Sequence, residues 1–170
     1  TSAFKDVALC MLPQLLTTAK AAKGMEDDIM ILTATSGDTG KAALEGFRDA
    51  PNTRILVFYP VDGVSEMQRF QMITQEGENV GVCAIRGNFD DAQTGVKALF
   101  TDEDILSRLK DKGMRFSSAN SINWGRLVPQ IVYYISAYCD LLAAGKIKNG
   151  DANLVLYAMW KPIQYTVTFN

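Results

Sequence analysis

Apolar positions along the chain switch between two spacings. Val7, Leu9, Leu12, Leu15 and Leu16 recur at helical intervals, and Asp6 lies where a first turn would welcome a negative charge. This predicts a helix over 3–23, with Pro13 expected to kink or shorten it. Residues 28–33 (Asp-Ile-Met-Ile-Leu-Thr) form a compact strand-like run. A polar turn, Ala34-Thr35-Ser36-Gly37-Asp38-Thr39-Gly40, follows, and helical spacing restarts over 41–47.

The alternation then repeats. Strands are predicted over 54–59 and 79–85, a brief one over 114–117 and a last one over 153–157. Helices are predicted over 65–74, with Ser65 as cap, over 89–100 behind Asp90 and Asp91, and over 102–109. Residues 124–144 read as one long, mostly apolar helix with Pro129 in its first turns. Strands alternating with helices across short connections argue for an α/β fold with a largely parallel sheet. Such sheets bind ligands beyond the carboxyl ends of their strands, which directs attention to 33–40 and 87–91.

Composition narrows the function classes. At 48% apolar and 21% charged residues, the 170-residue chain can bury a core. A net charge of -2 without a basic cluster argues against nucleic acid as a partner. The apolar runs at 29–32 and 131–135 are too short to span a membrane. Cys10, Cys83 and Cys139 lie far apart in apolar contexts, which suits buried free thiols in a reducing compartment such as the cytoplasm. The sequence has no histidine, so imidazole metal ligation is excluded and acid–base chemistry falls to Lys, Asp, Glu, Tyr or a cofactor.

Three segments can carry chemistry. The turn Thr35-Ser36-Gly37-Asp38-Thr39-Gly40 joins a strand to a helix, where free amides, two glycines and hydroxyls suit a carboxylate or phosphate; a plain tight turn capped by Asp38 or Thr39 is the competing account. Its glycine spacing fits neither a Walker loop nor the dinucleotide fingerprint. Lys5, in the first turn of an apolar helix, sits at the positive dipole end. That position disfavours the charged form, and a neutral amine is what Schiff-base chemistry needs; taken alone, the residue reads more readily as a surface lysine flanked by a capping aspartate. Asn120, Asn123 and Arg126 gather before an apolar helix, as a phosphate or amino-acid site would require, or as an N-cap with a solvated arginine.

Together with these, Ala3-Phe4-Lys5-Asp6, Leu32 through Ala43, Val57-Phe58-Tyr59-Pro60, Gly63-Val64-Ser65, Gln71-Met72, Gly87-Asn88-Phe89-Asp90-Asp91-Ala92-Gln93 and Ser118-Ala119-Asn120-Ser121-Ile122-Asn123-Trp124-Gly125-Arg126 form an ordered series. The series resembles class II threonine synthase from residue 1 to about 151. The resemblance implies a fold type II pyridoxal-phosphate enzyme with two α/β domains: 1–30 in the large domain, 31–115 as the small one, and 116–155 returning to the large one. It implies conversion of O-phospho-L-homoserine and water to L-threonine and phosphate, without metal. Lys5 aligns with the family's Schiff-base lysine, which also shuttles protons. Ser36, Gly37, Asp38 and Thr39 align with the loop that holds the substrate carboxylate, Asp38 also approaching the cofactor, and Asn120, Asn123 and Arg126 with the substrate side. Asp38 favours the threonine synthase pattern over fold type II enzymes that carry asparagine there.

Two departures stand out. The family's Gly-Asn-Phe-Gly type phosphate loop has no counterpart after Asp151, and 156–170 matches nothing in the family pattern. With the start at Thr1, this reads as an internal piece with an atypical tail, expected to bind pyridoxal phosphate poorly. A threonine-synthase-like phospho-lyase, another fold type II lyase and a non-catalytic remnant stay open as alternatives.

Overall fold

The computed structural model describes residues 4–120 and 123–150. Aliphatic and β-branched runs at Asp28–Ala34 (β1), Thr53–Pro60 (β2) and Val80–Ile85 (β3), with Met114–Ser118 (β4), form a parallel sheet in the order β3-β2-β1-β4. Register is continuous: Ile29 to Ala34 lie opposite Thr53 to Phe58, Ile55 to Pro60 opposite Val80 to Ile85, and Asp28 to Leu32 opposite Met114 to Ser118. Helix α1 (Phe4–Ala22) precedes the sheet, and the connections between strands fall to α2 (Asp38–Phe47), α3 (Glu66–Ile73), α4 (Phe89–Thr101) and α5 (Glu103–Asp111).

The period-two strands feed two cores. Ile29 and Ile31 of β1 and Ile55, Val57 and Tyr59 of β2 pack with Leu9 and Leu12 of α1, Ala43, Leu44 and Phe47 of α2 and Met72 of α3. Leu32 and Ala34 face the other way and pack with Ala92 and Val96 of α4, Leu56 and Phe58 joining from β2. Burial on both sides explains why the strands read as near-continuous apolar runs, each large side chain contributing about 1.5–3 kcal/mol. Asn79 pins the opposite end of the sheet, donating to the Phe47 and Thr53 carbonyls at 2.8 and 3.0 Å and accepting from the Asp49 amide at 2.8 Å.

The predicted elements up to β4 are all present, with ends shifted by a few residues at most. The largest shift is at α2, which starts three residues earlier than its spacing indicated, at Asp38. Pro13 does not shorten α1, which runs through it. The long helix predicted over 124–144 is broken instead. Helix α6 (Trp124–Leu127) passes into a 3-10 turn (Val128–Gln130) holding Pro129, and α7 (Ile131–Ala143) starts anew. Proline removes one amide from the i→i−4 ladder and crowds the preceding turn, so the break falls there. Cys10 and Cys139 are exposed and Cys83 half-buried, contrary to the expectation of three buried thiols; an apolar neighbourhood in sequence does not fix which face of its helix or strand each occupies.

Residues 1–132 form one compact unit and 133–170 another. In the second unit, α7 is followed by a turn in which the Gly150 amide donates to the Tyr138 hydroxyl at 3.0 Å. The predicted strand 153–157 and the tail 156–170 lie outside the described residues. No helix among the described residues is long and apolar enough to cross a membrane.

Candidate active site

The chain leaves β1 to reach β2 on one side and returns through β4 on the other, so the connections after β1 and β4 diverge. Sheets with this topology open a crevice at that point. Here the cleft has a volume of about 210 Å³. Ala34, Thr35, Ser36 and Thr39 line it from behind β1, Asn120 and Arg126 from behind β4, and Phe89 and Gln93 from α4.

Thr35 shapes the first wall. Its amide extends the sheet by donating to the Phe58 carbonyl at 2.9 Å, and its buried hydroxyl organises the turn. That hydroxyl oxygen accepts from the Gly37 and Gly40 amides at 3.0 and 2.9 Å and donates to the Gly37 carbonyl at 3.0 Å. Gly37 has φ 151° and ψ -110°, a conformation open to glycine, and a Cβ there would meet the Gln68 side chain at 2.4 Å.

Helices α3, α4, α5 and α6 each begin on a side-chain cap, from Ser65, Asn88, Asp102 and Asn123. Helix α2 has none. Its opening amides at Asp38 and Thr39 make no hydrogen bond within the described residues, so α2 presents donors and the positive dipole end to an anion.

Asp38 stands at this start with its two oxygens committed differently. Oδ1 accepts from Gln68 Nε2 at 2.9 Å, while Oδ2 lies 4.0 Å from Lys5 Nζ. Lys5 reaches it from the first turn of α1, which packs along α2. Lys5 is not buried, since 39% of its side chain is exposed.

Behind β4 the chain folds on its own amides. Asn120 donates its amide to Ser118 Oγ at 3.1 Å, and Asn123 donates Nδ2 to the Ser118 carbonyl at 2.8 Å while its Oδ1 caps α6 through the Gly125 amide at 2.9 Å. Gly125 lets α6 settle onto α1, since a Cβ there would lie 2.7 Å from Leu12 Cδ1. Arg126 is thereby carried inward and is only 9% exposed. Its Nη1 donates to the Ala119 carbonyl at 3.0 Å, and no carboxylate pairs with it among the described residues. Burial lowers its pKa, but a guanidinium stays charged at physiological pH, so a desolvated cation faces the cleft.

Of the residues singled out in the sequence, Ser36, Thr39, Asn120 and Arg126 line the cleft. Gly37 and Asp38 form the back of the turn, Lys5 stands against Asp38, and Asn123 shapes the second loop without lining it. Phe89 lies in the strand exit 87–91 to which the sheet rule directs attention, whereas Gln93, just beyond it, has no sequence signal other than a helix start. Gln68 went unnoticed as a site residue because its only local signal is its place three residues after the Ser65 cap. The donor set fits pyridoxal phosphate bound to an amino acid: an amine beside a carboxylate, then hydroxyls, amides and a guanidinium for acidic groups.

The parallel four-stranded sheet flanked by helices is that of a fold type II pyridoxal-phosphate enzyme, of which this chain is a segment. No protein-family model matches it, and individual relatives carry the relationship. It is similar to threonine synthase of Pseudomonas aeruginosa, 48% identical over 141 residues, which cover 83% of this chain and 29% of that protein. It is similar also to human threonine synthase-like 1, 41% identical over 157 residues, covering 89% of this chain and 21% of the relative. Among solved structures, pyridoxal-phosphate-bound threonine synthase from Brucella melitensis superposes with TM-score 0.71 at 41% identity, over 84% of this chain and 29% of that one. Threonine synthase from Escherichia coli gives TM-score 0.68 at 40% identity, over 82% and 30%. Over most of its own length the chain is similar to threonine synthases, and it spans less than a third of the length of these relatives.

Proposed function

We propose that this chain carries the amine and substrate-anion side of a threonine synthase active site, acting on O-phospho-L-homoserine and water to give L-threonine and phosphate. The observation that carries the proposal is the uncapped start of α2, with Lys5 Nζ 4.0 Å from the carboxylate of its first residue. In this reading 31–115 is the small domain, flanked by large-domain segments at 1–30 and 116–155. Its free thiols accord with a cytoplasmic setting.

Pyridoxal phosphate, when bound, supplies an aldehyde for an amine and an electron sink for charge developing on the substrate carbon. The chain's own residues supply the rest. The Asp38 and Thr39 amides, with the Ser36 and Thr39 hydroxyls, receive the substrate carboxylate. Arg126 and Asn120 across the cleft receive its phosphate, a planar guanidinium being suited to paired oxygens. Asp38 stands beside Lys5, and these two would hold the cofactor. Lys5 Nζ would also take and return the substrate's carbon-bound protons.

The test is to add pyridoxal phosphate, reduce with borohydride and map the modified peptides. The expected adduct falls on Lys5 and disappears in Lys5→Ala. Labelling spread evenly over exposed lysines overturns the assignment. Incubation with phosphohomoserine reads the reaction itself, since phosphate released without threonine favours a phospho-lyase.

A further inference from the structure

We propose that Gln68 is a positioning residue for the Lys5–Asp38 pair, tethering the Asp38 carboxylate so that it stays beside the Lys5 amine without closing on it. This rests on the function proposed above. Three features converge on Gln68. Its Nε2 donates to Asp38 Oδ1 at 2.9 Å. Its amide plane lies so close to Gly37 that a Cβ there would come within 2.4 to 2.8 Å of three of its atoms. Its Oε1 accepts from the Ser65 amide at 3.1 Å, which fixes the side chain through the capping box of α3.

The geometry explains what the tether does. At 4.0 Å, Asp38 Oδ2 is near Lys5 Nζ but beyond hydrogen-bond reach. Both side chains are more than a third exposed, at 39% and 44%, so nothing but local bonding keeps them apart. A free carboxylate would swing onto the ammonium, hold its protons and block its attack on an aldehyde. Gln68 occupies the other oxygen and prevents the swing. It thereby ties α3 and its β2 connection to the amine, although neither element touches the cleft.

Gln68 has two jobs, and one substitution separates them. In Gln68→Glu the side chain keeps its shape and still accepts from the Ser65 amide, a residue pairing favoured in capping boxes. It no longer donates to Asp38 and sets a like charge against it. A role confined to capping predicts no change in Lys5.

The measurement is the rate of borohydride-trapped pyridoxal-phosphate adduct at Lys5 relative to Lys23 and Lys112 on the same chain, with a thermal melt of each variant. Formaldehyde methylation, which needs no cofactor site, reads the same ratio if trapping on the unaltered chain is not selective. Failure of the proposed function and failure of this inference are thus told apart. Gln68→Glu is expected to melt with the unaltered chain and to lower the Lys5 ratio about tenfold, the worth of one charge-assisted hydrogen bond. Gln68→Met, which removes the donor without adding charge, should act in the same direction and decides the matter if Gln68→Glu does not fold. In an Asp38→Asn background, where Gln68→Met leaves no carboxylate to close on the amine, Gln68→Met should have no further effect. An unchanged Lys5 ratio, or an effect that persists in that background, overturns the proposal.

Discussion

The α-carbon of Gly46 lies so near the Leu9 carbonyl that a methyl group on it would sit 2.1 Å from the oxygen. Pro13 is four residues beyond Leu9 and has no amide to offer that carbonyl, so α1 presents it to α2 at their closest approach. Gly46→Ala is expected to force the helices apart and cost about 2–3 kcal/mol, as overpacked contacts do. Urea unfolding of the two chains checks this, with a lower midpoint and an unchanged slope.

Two threonines on one strand exit should respond oppositely to the same change. Thr33 Oγ1 is buried with no hydrogen-bond partner among the described residues, whereas the Thr35 hydroxyl makes three bonds within the turn. Thr33→Val removes an unmet hydroxyl and is expected to stabilise by about 1 kcal/mol; Thr35→Val strands the Gly37 amide, leaves the Gly40 amide only its bond to the Gly37 carbonyl, and should destabilise by about 1–3 kcal/mol. Thermal melts give the signs, and equal responses would contradict the bonding described.

Glu45 supplies a dependence on pH. Burial pushes its carboxyl up, but hydrogen bonds from Gln75 and Lys41 and the charges of Lys41 and Arg48 outweigh that and hold it below its usual value of 4.5. A carboxyl lowered in the folded state favours folding above its unfolded value, and the gain is lost as pH falls through the folded one. Glu45→Gln is therefore expected to be less stable than the unaltered chain near pH 7 and to converge with it as pH falls through the lowered folded value. Melting midpoints at steps between pH 7 and 3 test the sign.

Arg126 should govern anion binding. Inorganic phosphate is expected to raise the melting midpoint of the unaltered chain, by an amount equivalent to about 2.7 kcal/mol at a hundredfold excess over Kd. Arg126→Lys keeps a cation but loses the planar fork, and most of that rise should vanish. An equal rise in both chains would place the bound anion elsewhere.

Much of the fold is legible because strands buried on both faces leave apolar runs with polar stops, and seven blocks recur in the order of a known family. Strand order is not legible, since nothing local to 114–118 says that it joins β1 rather than β3. The site divides in the same way. Ser36, Thr39 and Lys5 stand out through composition and resemblance, whereas Gln68 reaches Asp38 from 30 residues away, and that contact exists only after β2 pairs with β1. The burial of Arg126 was undecidable from sequence because it follows from Gly125 settling against Leu12. Pro129 was visible, but a helix-breaking residue inside an apolar stretch tells where regularity fails and not how the chain resumes.

An uncapped α2 makes ligand capture and secondary structure a single event. Under the proposed function the peptide protons at Asp38 and Thr39 would gain their acceptor from an arriving acid group, so their exchange with solvent should slow on binding while those of α3, whose cap is built in, keep their pace. The guest completes the helix that holds it.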